Sequence, residues 1–197
     1  MPIVTYEIFR FLRIFHEFQP LPVRLRKNSG AADSGRIRRV HFNIWTRIVL
    51  DDVLDTYNVG SIFRSADAVS AQKVYLCGQT PTPPNSRIKK ASINTWQWVE
   101  WEYAATAVEA IARCRVGAAC QIIAVEQDAR SKPFNTITYT FPLAIVVGNE
   151  THGVSKDVLS MADEIAELPM WGVNRSLNVI VSCSIVLYEV MRQCPAR

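Results

Sequence analysis

Three short segments of this 197-residue chain combine glycines with amide, carboxylate, hydroxyl or guanidinium side chains. The first is Asn58-Val-Gly-Ser-Ile-Phe-Arg64, where an amide and a glycine open a helix and Arg64 points off its apolar stripe. It could grip a polar ligand and bring a cation to an anion, or it could be a helix capped by Asn58 with an exposed arginine. The second, Gly148-Asn149-Glu150-Thr-His-Gly153-Val-Ser155, follows a buried strand directly. Glycines on both sides of a carboxylate let backbone groups approach a ligand closely; a tight strand-to-helix turn with a solvated Glu150 would read the same. The ending Gly-Lys-Ser/Thr is missing, so this is not a P-loop. The third, Leu168-Pro-Met170-Trp-Gly-Val-Asn-Arg-Ser176-Leu177-Asn178, runs from a strand into an apolar helix, with Ser176 placed as an N-cap. His152 is the one histidine near these segments. It has no Cys or Asp partner at nucleophile or triad spacing and reads as a surface side chain.

The elements that position these segments alternate along the chain. Arg47–Leu50, Lys73–Cys77, Gln121–Val125, Leu143–Val147 and Glu164–Leu168 are short apolar runs that read as strands, most of them buried on both faces. Between them, Asn58–Val69, Ala104–Val116 and Ser155–Ala162 show helical spacing, with Gly117 as a C-cap and Ser155 as an N-cap. In Trp98–Tyr103 the residues Val99, Trp101 and Tyr103 alternate with glutamates, as on a half-covered strand. Strands alternating with helices predict an α/β fold with a mainly parallel open sheet flanked by helices. In such sheets ligands bind beyond the C-terminal strand ends, where all three segments fall. The last helix, Leu177–Gln193, is apolar nearly all round and needs cover nearly all round, from the core or from another subunit.

Charge divides the chain. Residues 1–47 hold nine Lys/Arg against three Asp/Glu, net +6, whereas residues 48–197 hold thirteen against fifteen, net −2. Residues 5–18 have helical spacing with a basic face, and the small polar run from Lys27 to Arg39 reads as a flexible linker. Residues 1–44 are therefore expected to be a basic extension that anchors a polyanion, or a solvated tail, ahead of a domain at 45–197. Five cysteines without a CxxC pair, and no histidines at ligand spacing, point to reduced thiols and no metal. No apolar run is long enough for a membrane span, and no secretory signal is legible. The expected location is the cytoplasm, with organellar targeting left open.

Taken in order, the three segments resemble the signature motifs of the SpoU (TrmH-like) family of SPOUT RNA methyltransferases: N-x-G-x-x-x-R, G-x-E-x-x-G and I/L-P-M…SLN. The resemblance runs from about Trp45 to Gln193, 149 of 197 residues. It implies a deep C-terminal trefoil knot, S-adenosyl-L-methionine (SAM) as cofactor, RNA (tRNA or rRNA) as partner, and a homodimer formed through the last helix. The implied reaction is methyl transfer to a ribose 2′-hydroxyl. By resemblance, Gly148, Asn149, Glu150, Gly153, Leu168, Met170, Ser176 and Leu177 hold the cofactor, and Asn58, Arg64, Glu150, Ser176 and Asn178 serve the reaction. A guanidinium stays protonated in proteins, so Arg64 suits a phosphate clamp better than the general base proposed for the family. The chain departs from the family at Lys90-Ala-Ser-Ile-Asn-Thr95 and in the three tryptophans that follow, where Arg87, Lys89 and Lys90 could form an RNA-stacking surface. Two other readings remain: an RNA-binding protein of this fold without turnover, and an enzyme methylating a base.

Overall fold

The computed structural model describes residues 45–195. The expected basic extension and linker lie outside these residues. Seven strands form one sheet: β1 (Thr46–Asp51), β2 (Lys73–Cys77), β3 (Trp101–Ala104), β4 (Gln121–Val125), β5 (Lys132–Pro133), β6 (Leu143–Gly148) and β7 (Glu164–Glu167). Their order across the sheet is β3-β2-β1-β6-β4-β7-β5, and every neighbouring pair is parallel.

Burial on both faces explains why the strands are continuous apolar runs. Ile48, Leu50, Ile123, Ile145 and Val147 enter one core layer; Val49, Ile122, Ala124, Ala144 and Val146, one residue out of phase, enter the other. The first layer is covered by α1 (Thr56–Ala68), α2 (Ser86–Ser92) and α5 (Val179–Gln193), the second by α3 (Ala107–Cys114) and α4 (Lys156–Met161). Helix α1 lies so close to α2 that a Cβ on Gly60 would sit 2.6 Å from the Ala91 Cβ. Gln193 ties the end of α5 to the segment before β6: its amide donates to the Ile137 carbonyl at 2.9 Å, and its Oε1 accepts from the Tyr139 N–H at 3.1 Å. Cys77, Cys114, Cys120 and Cys183 are buried thiols outside any disulfide.

Several local expectations are corrected. Asp55, not Asn58, caps α1: its carboxylate accepts the N–H groups of Tyr57 and Asn58 at 2.6 and 3.1 Å, which leaves the Asn58 side chain free for tertiary work. Asn178, not Ser176, caps α5, accepting the Ile180 N–H at 2.9 Å, so the helix begins at Val179. Ser155 stands at the N-cap of α4 without a side-chain capping bond. Helix α3 ends at Cys114 with Arg115 as its C-cap, short of Gly117. The 3₁₀ turn Thr95–Gln97 shortens the expected 98–103 strand to β3, and Tyr103 is exposed there because β3 is a sheet edge. Elements α2 and β5, seven and two residues long, are too short for a period to reveal them.

Helix α5 is covered on one side only. Cys183, Val186, Leu187 and Val190 are buried, while Val181, Ile185 and Tyr188, together with Leu177 just before the helix, are exposed.

Candidate active site

Parallel strands with aligned ends bring their C-terminal loops to one rim. Asp51 of β1 pairs with Gly148 of β6, Val147 of β6 with Val125 of β4, and Val125 with Ala166 of β7. The loops after β4, β6 and β7 enclose a cavity of about 440 Å³. Gly148, Asn149, Glu150 and Gly153 line it from the β6 loop. Leu168, Met170, Ser176, Leu177 and Asn178 line it from the segment leading into α5.

The glycines of the β6 loop have a structural task that their spacing left open. The loop folds back on its own start: Asn149 N–H donates to the Gly153 carbonyl at 3.0 Å, and Gly153 N–H returns to the Asn149 carbonyl at 2.8 Å. A Cβ at Gly148 would lie 2.1 Å from the Gly153 carbonyl carbon. Gly153 has φ +70, and a Cβ there would meet the Glu126 carboxylate at 2.1 Å. Gly148 excludes any side chain, because backbone of the same loop fills the space, while at Gly153 the left-handed backbone disfavours one and the Glu126 carboxylate would have to move aside. Asn149 completes the turn. Its Oδ1 accepts the N–H groups of Thr151 and His152 at 2.8 and 3.1 Å, and its Nδ2 donates to the Asp52 carbonyl at 2.8 Å.

That fold-back presents Glu150 to the start of α1. Its carboxylate accepts the N–H groups of Leu54 and Asp55, each at 3.0 Å, and the Asn58 amide at 2.9 Å. The buried Asn58 passes the contact on, its Oδ1 accepting from Asn178 Nδ2 at 3.1 Å. Residues 58, 150 and 178, far apart in sequence and one from each segment, thus form a single hydrogen-bonded chain from the β6 loop to the cap of α5. Desolvation by itself would raise the Glu150 carboxyl, but the bonds from Asn58, Leu54 and Asp55 outweigh it and hold its pKa below the usual carboxylate value. Glu150 is not the freely solvated side chain that a bare turn would carry.

Two predicted residues stand apart from this chain. Ser176 is exposed on the cavity wall. Arg64 is exposed on α1, six residues or roughly 9 Å along the helix from Asn58, and does not line the cavity. Sequence reasoning missed Glu126 and Gln127. Glu126 takes the Val154 N–H at 2.9 Å, and Gln127 donates to the Arg175 carbonyl at 2.5 Å. Their position just past a buried parallel strand was the available signal. Among the described residues, no group of three His, Cys, Asp or Glu is placed to hold a metal. No helix there is long and apolar enough to cross a membrane.

Comparison with known proteins agrees with this geometry. A tRNA (guanosine(18)-2'-O)-methyltransferase of Escherichia coli is 32% identical over 149 residues, covering 74% of this chain and 62% of that protein. The Aquifex aeolicus protein of the same name is 33% identical over 152 residues, covering 74% and 68%. The chain therefore spans somewhat under two thirds of the Escherichia coli relative. Among solved structures, an AdoMet-bound rRNA methyltransferase from Sinorhizobium meliloti superposes with a TM-score of 0.70 at 30% identity, covering 77% of this chain and 57% of that one. An Aquifex aeolicus TrmH/SpoU tRNA modifying enzyme superposes with a TM-score of 0.68 at 30% identity, covering 76% and 75%. The family model described as the SpoU rRNA Methylase family matches residues 46–188, which takes in all three segments of the site, and the chain belongs to that family.

Proposed function

We propose that this protein is a SAM-dependent RNA methyltransferase that methylates a ribose 2′-hydroxyl of tRNA or rRNA. The observation that carries the reading is that the second and third segments share one cavity, and that the first is joined to both of them through the hydrogen bonds of Asn58 to Glu150 and Asn178. The cavity suits the cofactor in size, within the range of small-molecule sites. It also suits it in charge: Glu126, Glu150 and Glu167 face it against the single guanidinium of Arg175, which favours a cationic ligand. Leu168, Met170, Leu177 and Val179 supply apolar wall for a flat base.

When bound, SAM supplies an electrophilic methyl group on its sulfonium. The chain's own part is placement, the larger share of what a transfer of this kind requires. The folded-back loop Gly148–Gly153 offers backbone groups, with Leu168, Met170, Ser176 and Leu177 across the cavity. Glu150 stays ionised at neutral pH and holds Asn58 and the start of α1 in register with the cofactor loop. Asn58, Ser176 and Asn178 supply polar contacts for the acceptor ribose. Arg64 clamps a phosphate of the RNA through its planar fork.

The exposed apolar side of α5 supports a homodimer, since a second copy laid on Leu177, Val181, Ile185 and Tyr188 would give the helix the cover it lacks. The trefoil threading of the C-terminal segment is part of the same reading, as is work on cytoplasmic RNA. The deciding experiment is incubation of the protein with labelled SAM and separated RNA fractions, followed by nucleoside analysis. Label in a 2′-O-methyl nucleoside is expected. Label in a base would replace the ribose reading, and SAM binding without transfer to any fraction would leave an RNA-binding protein of this fold.

A further inference from the structure

Three carboxylates line the cavity, and they are not equally committed. Glu150 is spent on the start of α1, where three donors converge on it. Glu167 takes the Ser131 hydroxyl at 2.6 Å. Glu126 differs from both. One of its oxygens accepts the Val154 N–H at 2.9 Å, the other the N–H of its neighbour Gln127 at 2.8 Å. Two rigid backbone donors, one on each oxygen, set the plane of the carboxylate. An ionised carboxylate accepts at about four sites, so each oxygen keeps one lone pair for a ligand.

A carboxylate held this way is a two-point acceptor and matches a ligand group with two adjacent hydroxyl donors. An ammonium would need only a point charge and gains little from two fixed oxygens. Within a nucleoside cofactor, the group with two neighbouring hydroxyls is the ribose 2′,3′-diol. Glu126 also stands directly beyond the C-terminal end of β4, an interior parallel strand, where open α/β sheets bind their ligands. Granting the proposal above that the cavity takes SAM, we propose that Glu126 binds the ribose diol of the cofactor and couples that contact to the Gly153–Val154 turn. It is a binding and positioning residue and touches no reacting atom.

The test is calorimetric titration of the full chain and its Glu126→Gln variant with S-adenosylhomocysteine and its 2′-deoxy and 3′-deoxy analogues. In the parent protein each deoxy analogue is expected to bind about 10- to 100-fold more weakly, the loss of a hydrogen bond to a charged acceptor. Glu126→Gln is expected to weaken S-adenosylhomocysteine by a similar factor and to shrink the penalty for removing either hydroxyl. A penalty that stays the same in the variant would make Glu126 a clamp for the turn alone and overturn the proposal. If the variant fails to fold, judged by circular dichroism, the parent decides: equal affinity for all three ligands overturns it. No binding of S-adenosylhomocysteine by the parent would instead sink the cofactor reading itself.

Discussion

Glu150 shows how much a single residue's meaning depends on what folds against it. In the sequence it is a carboxylate between glycines, equally consistent with a solvated turn; in the fold it receives Leu54, Asp55 and Asn58. Its depressed pKa fixes the sign of a pH effect. A carboxyl whose folded value lies below its unfolded value adds stability above the unfolded value, and that contribution fades as pH falls through the folded one. Glu150→Gln should therefore cost about 1 kcal/mol near neutrality, the low end for bonds to a charged group because this one is solvent-screened. Thermal melts should show a Tm lower by about 2–4 °C at pH 7. The gap should narrow as pH falls below the ordinary glutamate value and close only once pH has passed the depressed folded value, where the parent's carboxyl is protonated as well. A gap independent of pH would mean that the bonds do not depend on the charge.

Among the elements, the strands were the most legible and the helix ends the least. Strands β2 and β4 match their expected bounds, because a run buried on both faces is apolar throughout and stops where burial stops. Caps are decided by which side chain reaches a free N–H. Asp55 and Asn178 won over Asn58 and Ser176 through contacts that the local pattern does not rank. Helix α5 was expected to need cover all round, and the fold covers half of it. If a second copy covers the rest, Val181→Glu should place a charge in that interface without disturbing the buried side. Light scattering should then report about half the parent's mass, with the helical circular dichroism signal retained. A monomeric parent would remove the dimer from the proposal.

At the scale of the whole molecule, the strands of the sheet lie between Thr46 and Glu167, while the excess positive charge sits in residues 1–47. If that charge serves RNA binding, deleting residues 1–40 should weaken RNA affinity about 10-fold or more and flatten its dependence on salt, because fewer counterions are released. Affinity for S-adenosylhomocysteine should not change. An unaltered salt slope would assign RNA binding to the body, where Arg64, Arg87, Lys89 and Lys90 are exposed. The covered parallel sheet and the three segments near its strand ends were legible in the sequence, since apolar runs, helical spacing and glycine positions are local properties. Long-range packing was needed to close the β6 loop on itself and on Glu126, to join Glu150, Asn58 and Asn178 in one chain with Arg64 outside it, and to set which side of α5 faces outward. Those outcomes follow from strand order, which brings β6 between β1 and β4 and so sets side by side residues that are far apart in the chain.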